Sequence, residues 1–195
     1  KHVKNLQSFG QTVVIAFNKF ATDTDEEIEV LRKHCEEMGC GFAVNSAFAE
    51  GGNGAIELAN LVVKTIDERP SAPLYFAYDD NDSVEEKIEK VAFNLYGAGS
   101  VTLSDSAKAM IEEIKKLGAE KFPICIAKTQ YSFSTDAKAY GPTEGFELHV
   151  RDITVNMGAE MIVVIAGPIM RMPGLPKSPQ AERIDVVNGE ITGLS

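Results

Sequence analysis

The sequence contains no tryptophan, and its three cysteines form no Cys-x-x-Cys pair. Cys35, Cys40 and Cys125 match no common zinc pattern even with His34 beside Cys35, so we predict reduced thiols and no metal site. No apolar run approaches the roughly 18 residues needed to span a bilayer, and the first residues lack the apolar core of a signal peptide. We therefore expect a cytoplasmic protein without a membrane partner.

Basic residues are also scarce, since 19 Lys and Arg stand against 29 Asp and Glu, for a net charge of −10. No basic cluster offers the positive surface that a nucleic-acid backbone requires, so we expect small-molecule partners instead. The sequence also lacks a GxxxxGK[ST] motif, the loop that cradles nucleotide phosphates. Hydrophobic residues at 44% and charged residues at 25% are typical of a globular protein.

The first part of the chain alternates strand and helix patterns. The β-branched apolar run Gln11–Phe17 predicts a strand buried on both faces of a parallel sheet, and Gly41–Asn45 predicts a second strand. Helical periodicity predicts helices over Asp25–Met38 and Ala55–Glu68. We therefore predict an α/β fold, with a parallel-sheet βαβ unit over residues 1–75.

A Pro-, Tyr- and Asp-rich stretch, Pro70–Asp82, predicts a linker to a second, smaller α/β subdomain over residues 76–195. Ser83 with Glu85 or Glu86 is a capping-box signature that predicts a helix start. Asn188-Gly189 between two short strand-like runs predicts a hairpin turn. The remaining predicted elements are helices Val84–Tyr96 and Asp105–Leu117, and strands 101–103, Phe122–Ala127, Phe146–Val155 and Met161–Ile165.

Polar residues follow both strands of the βαβ unit, at the sheet edge where ligands of such folds gather. Asn18-Lys19 and Ser46-Ala47 are similar to the two base-binding loops of P-loop GTPases. This similarity makes Asn18, Lys19 and Ser46 weak nucleotide-binding candidates. It also predicts a sheet like that of P-loop NTPases, but without the P-loop. The Asp expected two residues after the Lys is Ala21, which argues against guanine specificity. The alternative is that Asn18 caps the turn after the strand.

Two further features lie in the same loops. Gly51 and Gly52 precede a helix whose backbone N–H groups could attract an anion, although the negative charge of Glu50 opposes this and a plain tight turn is the alternative.

Phe20 and Phe48 lie just past the strand ends and could sandwich a flat heteroaromatic ligand. The alternative is that the two rings pack the loops together.

The loop Lys128–Ser134 carries an unusual density of polar and aromatic side chains. It could hold an ionic or hydrogen-bonding site, and an ordered interface loop explains it equally well. No Ser/His/Asp or Cys/His spacing supports nucleophilic catalysis, and we predict no catalytic residue in this chain.

Six runs closely resemble the formate–tetrahydrofolate ligase family, in its order and spacing. They are VVIAFNKFATDTDEEIEVL (13–31), SAFAEGGNGAIELA (46–59), ICIAKTQYSFSTD (124–136), IMRMPGLP (169–176), PQAERID (179–185) and GEITGLS (189–195). The resemblance implies an ATP-dependent ligase that joins formate to tetrahydrofolate, giving 10-formyltetrahydrofolate, ADP and phosphate through formyl phosphate. ATP with Mg²⁺ and tetrahydrofolate are the implied substrates, and a homo-oligomer is the implied assembly.

The resemblance places this chain in the carboxy-terminal part of the family, with the phosphate-binding loop upstream of Lys1. We therefore expect the chain alone to be inactive and to hold no tightly bound cofactor. Its implied role is the pterin-binding wall, and the alternative is a non-catalytic oligomerisation module. Phe20 and Phe48 would form the aromatic clamp, with Asn18, Ala21 and Thr22 lining the same cleft.

The sequence departs from the family pattern at four places. Phe48 stands where Trp is usual, Ala21 where Pro is common, Glu50 where Lys is frequent, and Gly167-Pro168 where Gly-Glu is found. A smaller ring should weaken stacking modestly. Since an anion at position 50 would repel the glutamate tail of folate, that tail is left unassigned.

Overall fold

The computed structural model describes residues 1–169 and 176–193 of an α/β protein with parallel strand pairing. The first elements form a βαβ unit, as predicted. A two-stranded parallel sheet pairs β1 (Val14–Asn18) with β2 (Gly41–Asn45), in register from Val14 opposite Gly41 to Asn18 opposite Asn45. The elements are α1 (His2–Ser8), β1 (Val14–Asn18), α2 (Asp25–Glu37), β2 (Gly41–Asn45), α3 (Ala47–Glu50) and α4 (Ile56–Glu68).

Local signals set most of these boundaries. Thr24 and Glu27 form a capping box that starts α2, because each side chain bonds the other's backbone N–H. The strand β2 has the predicted bounds, whereas α1 was not predicted from its polar sequence. A small core of Val13, Ile28, Cys35, Cys40 and Phe42 fills the space between α2 and the sheet.

The predicted burial of the first strand on both faces is wrong for this chain. Ala16 and Asn18 are exposed, and the other β1 residues are only partly buried. Among the described residues β1 pairs with β2 alone, so its second edge has no neighbouring strand. A strand at a sheet edge keeps more of its surface than a central one.

The second half of the chain contains a four-stranded mixed sheet, in the order β3 (Ser100–Leu103), β5 (Glu147–Asn156), β6 (Met161–Ala166) and β4 (Ile124–Ala127). The pairs β3–β5 and β4–β6 are parallel, whereas β5 and β6 are antiparallel neighbours. One face is buried under two helices, whose fully buried Ile88 and Ile111 meet Leu148, Ile153 and Ile162. The elements are α5 (Val84–Val91), continued by a π-helical turn (Ala92–Tyr96), β3 (Ser100–Leu103), α6 (Asp105–Leu117), β4 (Ile124–Ala127), β5 (Glu147–Asn156) and β6 (Met161–Ala166).

This half was expected to be the smaller subdomain. It has the larger sheet, with four strands against two, and the larger buried core. The division at residues 75 and 76 stays a prediction, and so does the likeness of the first half to P-loop NTPases.

The predicted hairpin is confirmed near the end of the chain. Strands β7 (Asp185–Val187) and β8 (Glu190–Thr192) pair antiparallel around Asn188 and Gly189. Both turn residues have positive φ, 52° and 83°, as a tight two-residue hairpin turn requires. Residues 170–175 of the IMRMPGLP run and the last two residues lie outside the described residues.

Across residues 1–169 and 176–193, none of the helices combines the length and the apolar character needed to cross a membrane.

Candidate functional site

The carboxyl ends of β1 and β2 bring two loops together. Asn18 and Asn45 are register partners, and the backbone N–H of Lys19 donates to the carbonyl oxygen of Asn45 at 3.0 Å. The pairing therefore continues to the last residue of each strand. The segments that carry Phe20 and Phe48 leave the sheet side by side.

The loop after β1 is a turn closed by Asp23. Its carboxylate accepts from the N–H of Phe20 at 2.8 Å, and its own N–H donates to the carbonyl oxygen of Phe20 at 3.1 Å. Ala21 and Thr22 lie exposed in this turn, and Lys19 pairs with Asp25 at 3.5 Å. Asp23 therefore closes the turn, which was the role that the alternative interpretation gave to Asn18.

The loop after β2 passes through Ser46 into α3, which carries Phe48. Its closing contact is the N–H of Ser46, which donates to the carbonyl oxygen of Gly54 at 3.0 Å. A Cβ at Gly54 would lie 2.5 Å from the Ser46 carbonyl carbon and 2.8 Å from the Ala47 nitrogen. Only glycine lets the two backbone segments approach this closely.

Asn45 connects the two loops, although no sequence motif selects it. Its side-chain N–H donates to the Asn18 side-chain oxygen at 2.8 Å, and its own oxygen accepts from the N–H of Ala47 at 3.2 Å. The amide thus fixes the end of β1 and the start of α3 together. The available signal was that both strands end in Asn.

Both candidate clamp rings point away from the interior. Phe20 is 65% exposed and Phe48 is 98% exposed, so neither packs its loop against the protein. Exposed rings of this size at one sheet edge leave aromatic surface open to a ligand. Within this chain the rings do not fill the space between the two loops, and the clamp stays a prediction.

The phosphate-binding candidates are less favourably placed. Gly51 and Gly52 are exposed in a 3₁₀ turn, Gly51–Ala55, which separates them from the first turn of α4. Lys19 is engaged by Asp25, and Glu50 is exposed nearby in sequence. With no GxxxxGK[ST] motif in the chain, these residues do not fit a triphosphate.

Metal ligands do not cluster in the described part of the chain. Outside residues 170–175 and 194–195, no group of three or more His, Cys, Asp or Glu residues could hold a metal ion.

Comparison with known proteins defines the family. A sequence model of the family described as formate–tetrahydrofolate ligase matches residues 1–195. The chain belongs to the formate–tetrahydrofolate ligase family. Proteins of that name from Bacteroides fragilis, Phocaeicola vulgatus and Porphyromonas gingivalis are 64%, 65% and 55% identical to it over 195 residues.

These alignments cover 100% of this chain but 35% of each formate–tetrahydrofolate ligase. The chain therefore spans about a third of the length of the curated relatives it matches.

Proposed function

We propose that this chain is the part of an ATP-dependent ligase that binds the pterin of tetrahydrofolate. The complete enzyme would join formate to tetrahydrofolate through formyl phosphate, releasing 10-formyltetrahydrofolate, ADP and phosphate. Family membership supports the reaction, and the exposure of Phe20 and Phe48 at neighbouring strand ends supports the role of this segment.

The chemical contribution of the segment is positioning. Two rings on either side of a pterin would fix its plane, while Asn18 and the exposed turn Ala21–Thr22 would line the edge of the cleft. Holding the folate amine close to an activated formyl group replaces a bimolecular encounter by a local one. The phosphate chemistry would belong to the remainder of the longer protein, since this chain has no phosphate-binding loop. We therefore expect the chain alone to have no ligase activity.

Asn45 would act on the clamp indirectly. It contacts both loops through one amide, so it would hold the two rings at a fixed spacing without touching the ligand. Pre-organisation of this kind improves affinity, because less loop motion is lost when the ligand binds.

Calorimetric titration of the chain with tetrahydrofolate tests the proposal. Phe48→Ala should weaken binding about tenfold, because one aromatic stack contributes about 0.5–1.5 kcal/mol beyond the area it buries. Phe76→Ala is the matched control, since Phe76 is also largely exposed, at 79%, but follows Tyr75, whose N–H donates to the carbonyl oxygen of Phe9 ahead of β1. Equal affinity for the wild type and Phe48→Ala would remove Phe48 from the site.

A second role, in subunit assembly, is favoured by the β7–β8 hairpin. Val186 and Ile191 face each other as register partners and are 64% and 63% exposed. An exposed apolar hairpin is a typical contact surface. If it joins subunits, light scattering should give a multiple of 21.1 kDa for the chain and a single copy for Val186→Lys with Ile191→Lys. A chain that is already monomeric would exclude this role for the hairpin.

A further inference from the structure

A separate cavity lies in the second half of the molecule, beside the loop that follows β4. Its volume is about 420 Å³, and it shares no lining residue with the loops that carry Phe20 and Phe48. Most of its wall is aromatic or hydroxylic. The lining residues used below are His2, Tyr96, Lys128, Tyr131, Ser132 and Phe133.

The cavity differs in charge from the rest of the chain. The chain carries a net charge of −10, yet the lining includes the lysines Lys1 and Lys128 and no aspartate or glutamate. Lys128 forms none of the ion pairs found in the described part of the molecule. A partly buried ammonium without a carboxylate partner makes this cavity locally electropositive.

The position of the ammonium group is well defined. Lys128 Nζ lies 4.8 Å from the Tyr96 ring centroid and 5.9 Å from the Phe133 centroid. It donates to the carbonyl oxygens of Thr129, at 3.3 Å, and of Ser132. An ammonium has three N–H donors, so one remains after these two bonds.

The loop around the cavity is held by its own hydrogen bonds. The buried hydroxyl of Ser132 donates to the carbonyl oxygen of Ala139 at 2.7 Å and accepts from the N–H of Ser134 at 3.0 Å. His2 packs against Phe133 with ring centroids 4.9 Å apart. The wall is therefore held by contacts within the protein, whereas Tyr131 is 66% exposed.

We propose that this cavity binds a small aromatic carboxylate. The ring of such a ligand would lie among Tyr96, Tyr131 and Phe133, and its carboxylate would accept the remaining N–H of Lys128. Burial lowers the pKa of Lys128, because removal from water disfavours the charged form. A bound carboxylate opposes that effect. This site does not depend on the proposed folate site.

The test is a nuclear magnetic resonance titration of the chain with sodium benzoate, benzyl alcohol and inorganic phosphate. Benzoate should shift the amide signals of residues 128–134. Benzyl alcohol, which has the ring without the charge, should bind about tenfold more weakly, as expected for a lost charge-assisted hydrogen bond. Phosphate, which has charge without a ring, should cause no comparable shifts.

Variants distinguish benzoate binding in the cavity from unspecific binding elsewhere on the surface. Tyr131→Ala should weaken benzoate binding several-fold, whereas Tyr140→Ala should leave it unchanged, since Tyr140 is 79% exposed and outside the lining. Lys128→Met should abolish the preference for benzoate over benzyl alcohol. The proposal is overturned if benzoate leaves residues 128–134 unshifted, if either other probe binds as tightly, or if Tyr140→Ala weakens binding as much as Tyr131→Ala.

Discussion

Gly54→Ala is expected to displace the segment that carries Phe48 and to weaken tetrahydrofolate binding about tenfold, as much as the loss of the Phe48 ring itself. The added Cβ would lie 2.5 Å from the carbonyl carbon and 2.6 Å from the carbonyl oxygen of Ser46. Both atoms belong to the backbone, so the contact cannot be relieved by turning a side chain. The bond from the Ser46 N–H to the Gly54 carbonyl would be strained or lost with it.

The expected loss of stability is about 1–3 kcal/mol, the usual cost of inserting a methyl group where there is no space. Urea unfolding followed by circular dichroism measures this loss, and calorimetry measures the folate affinity. Gly52→Ala is the matched control in the same loop. A Cβ at Gly52 meets no atom within 4 Å, and its backbone does not have the positive φ that penalises alanine. Equal stability and affinity for the two variants would contradict the role assigned to Gly54.

Lys87→Met is expected to be among the most destabilising single changes in the second half of the chain. Lys87 is fully buried, at 0% exposure, and its ammonium donates to the carbonyl oxygens of Glu120, at 2.6 Å, and Phe122, at 3.3 Å. These bonds tie α5 to the segment between α6 and β4.

Methionine would fill the space of the Lys87 stem but leave two buried carbonyl oxygens without a donor. The expected cost is about 2–3 kcal/mol, since each unsatisfied buried group costs about 1–3 kcal/mol and methionine also removes the cost of burying a charge. Urea unfolding measures the loss of stability relative to the wild type. Lys121→Met, at an exposed position nearby, should have almost no effect. If the two variants were equally stable, the buried bonds would contribute nothing.

The difference in unfolding free energy between the wild type and Lys87→Met changes with pH in a defined direction. Burial lowers the pKa of Lys87 in the folded protein, whereas the unfolded chain has the ordinary value of ~10.4. Between these two values the unfolded state binds more protons, so the stability of the wild type rises with pH relative to Lys87→Met. Below the lowered pKa the lysine is charged in both states, and the difference becomes constant.

Much of the secondary structure follows from local sequence. The bounds of β2 and α6 agree with the prediction, Ser83 and Glu86 form the expected capping box, and Asn188-Gly189 makes the expected turn. Caps, turns and apolar periods depend on residues within a few positions of one another, so a single sequence displays them directly. The family resemblance also lay in contiguous runs.

The candidate site was predictable only in part. Phe20 and Phe48 follow recognisable strands, which gives their place at the sheet edge without their exposure. Asn45 and Gly54 were missed, because neither belongs to a recognisable sequence motif. Each contacts a residue that only the path of the folded loops brings near it.

The sequence by itself determined the α/β class, most helix and strand positions and the family. The tertiary structure alone decided the strand order β3-β5-β6-β4, the register of β1 with β2 and the burial of Lys87. Strand order and burial depend on contacts between segments far apart in the chain, and local patterns constrain those contacts only weakly.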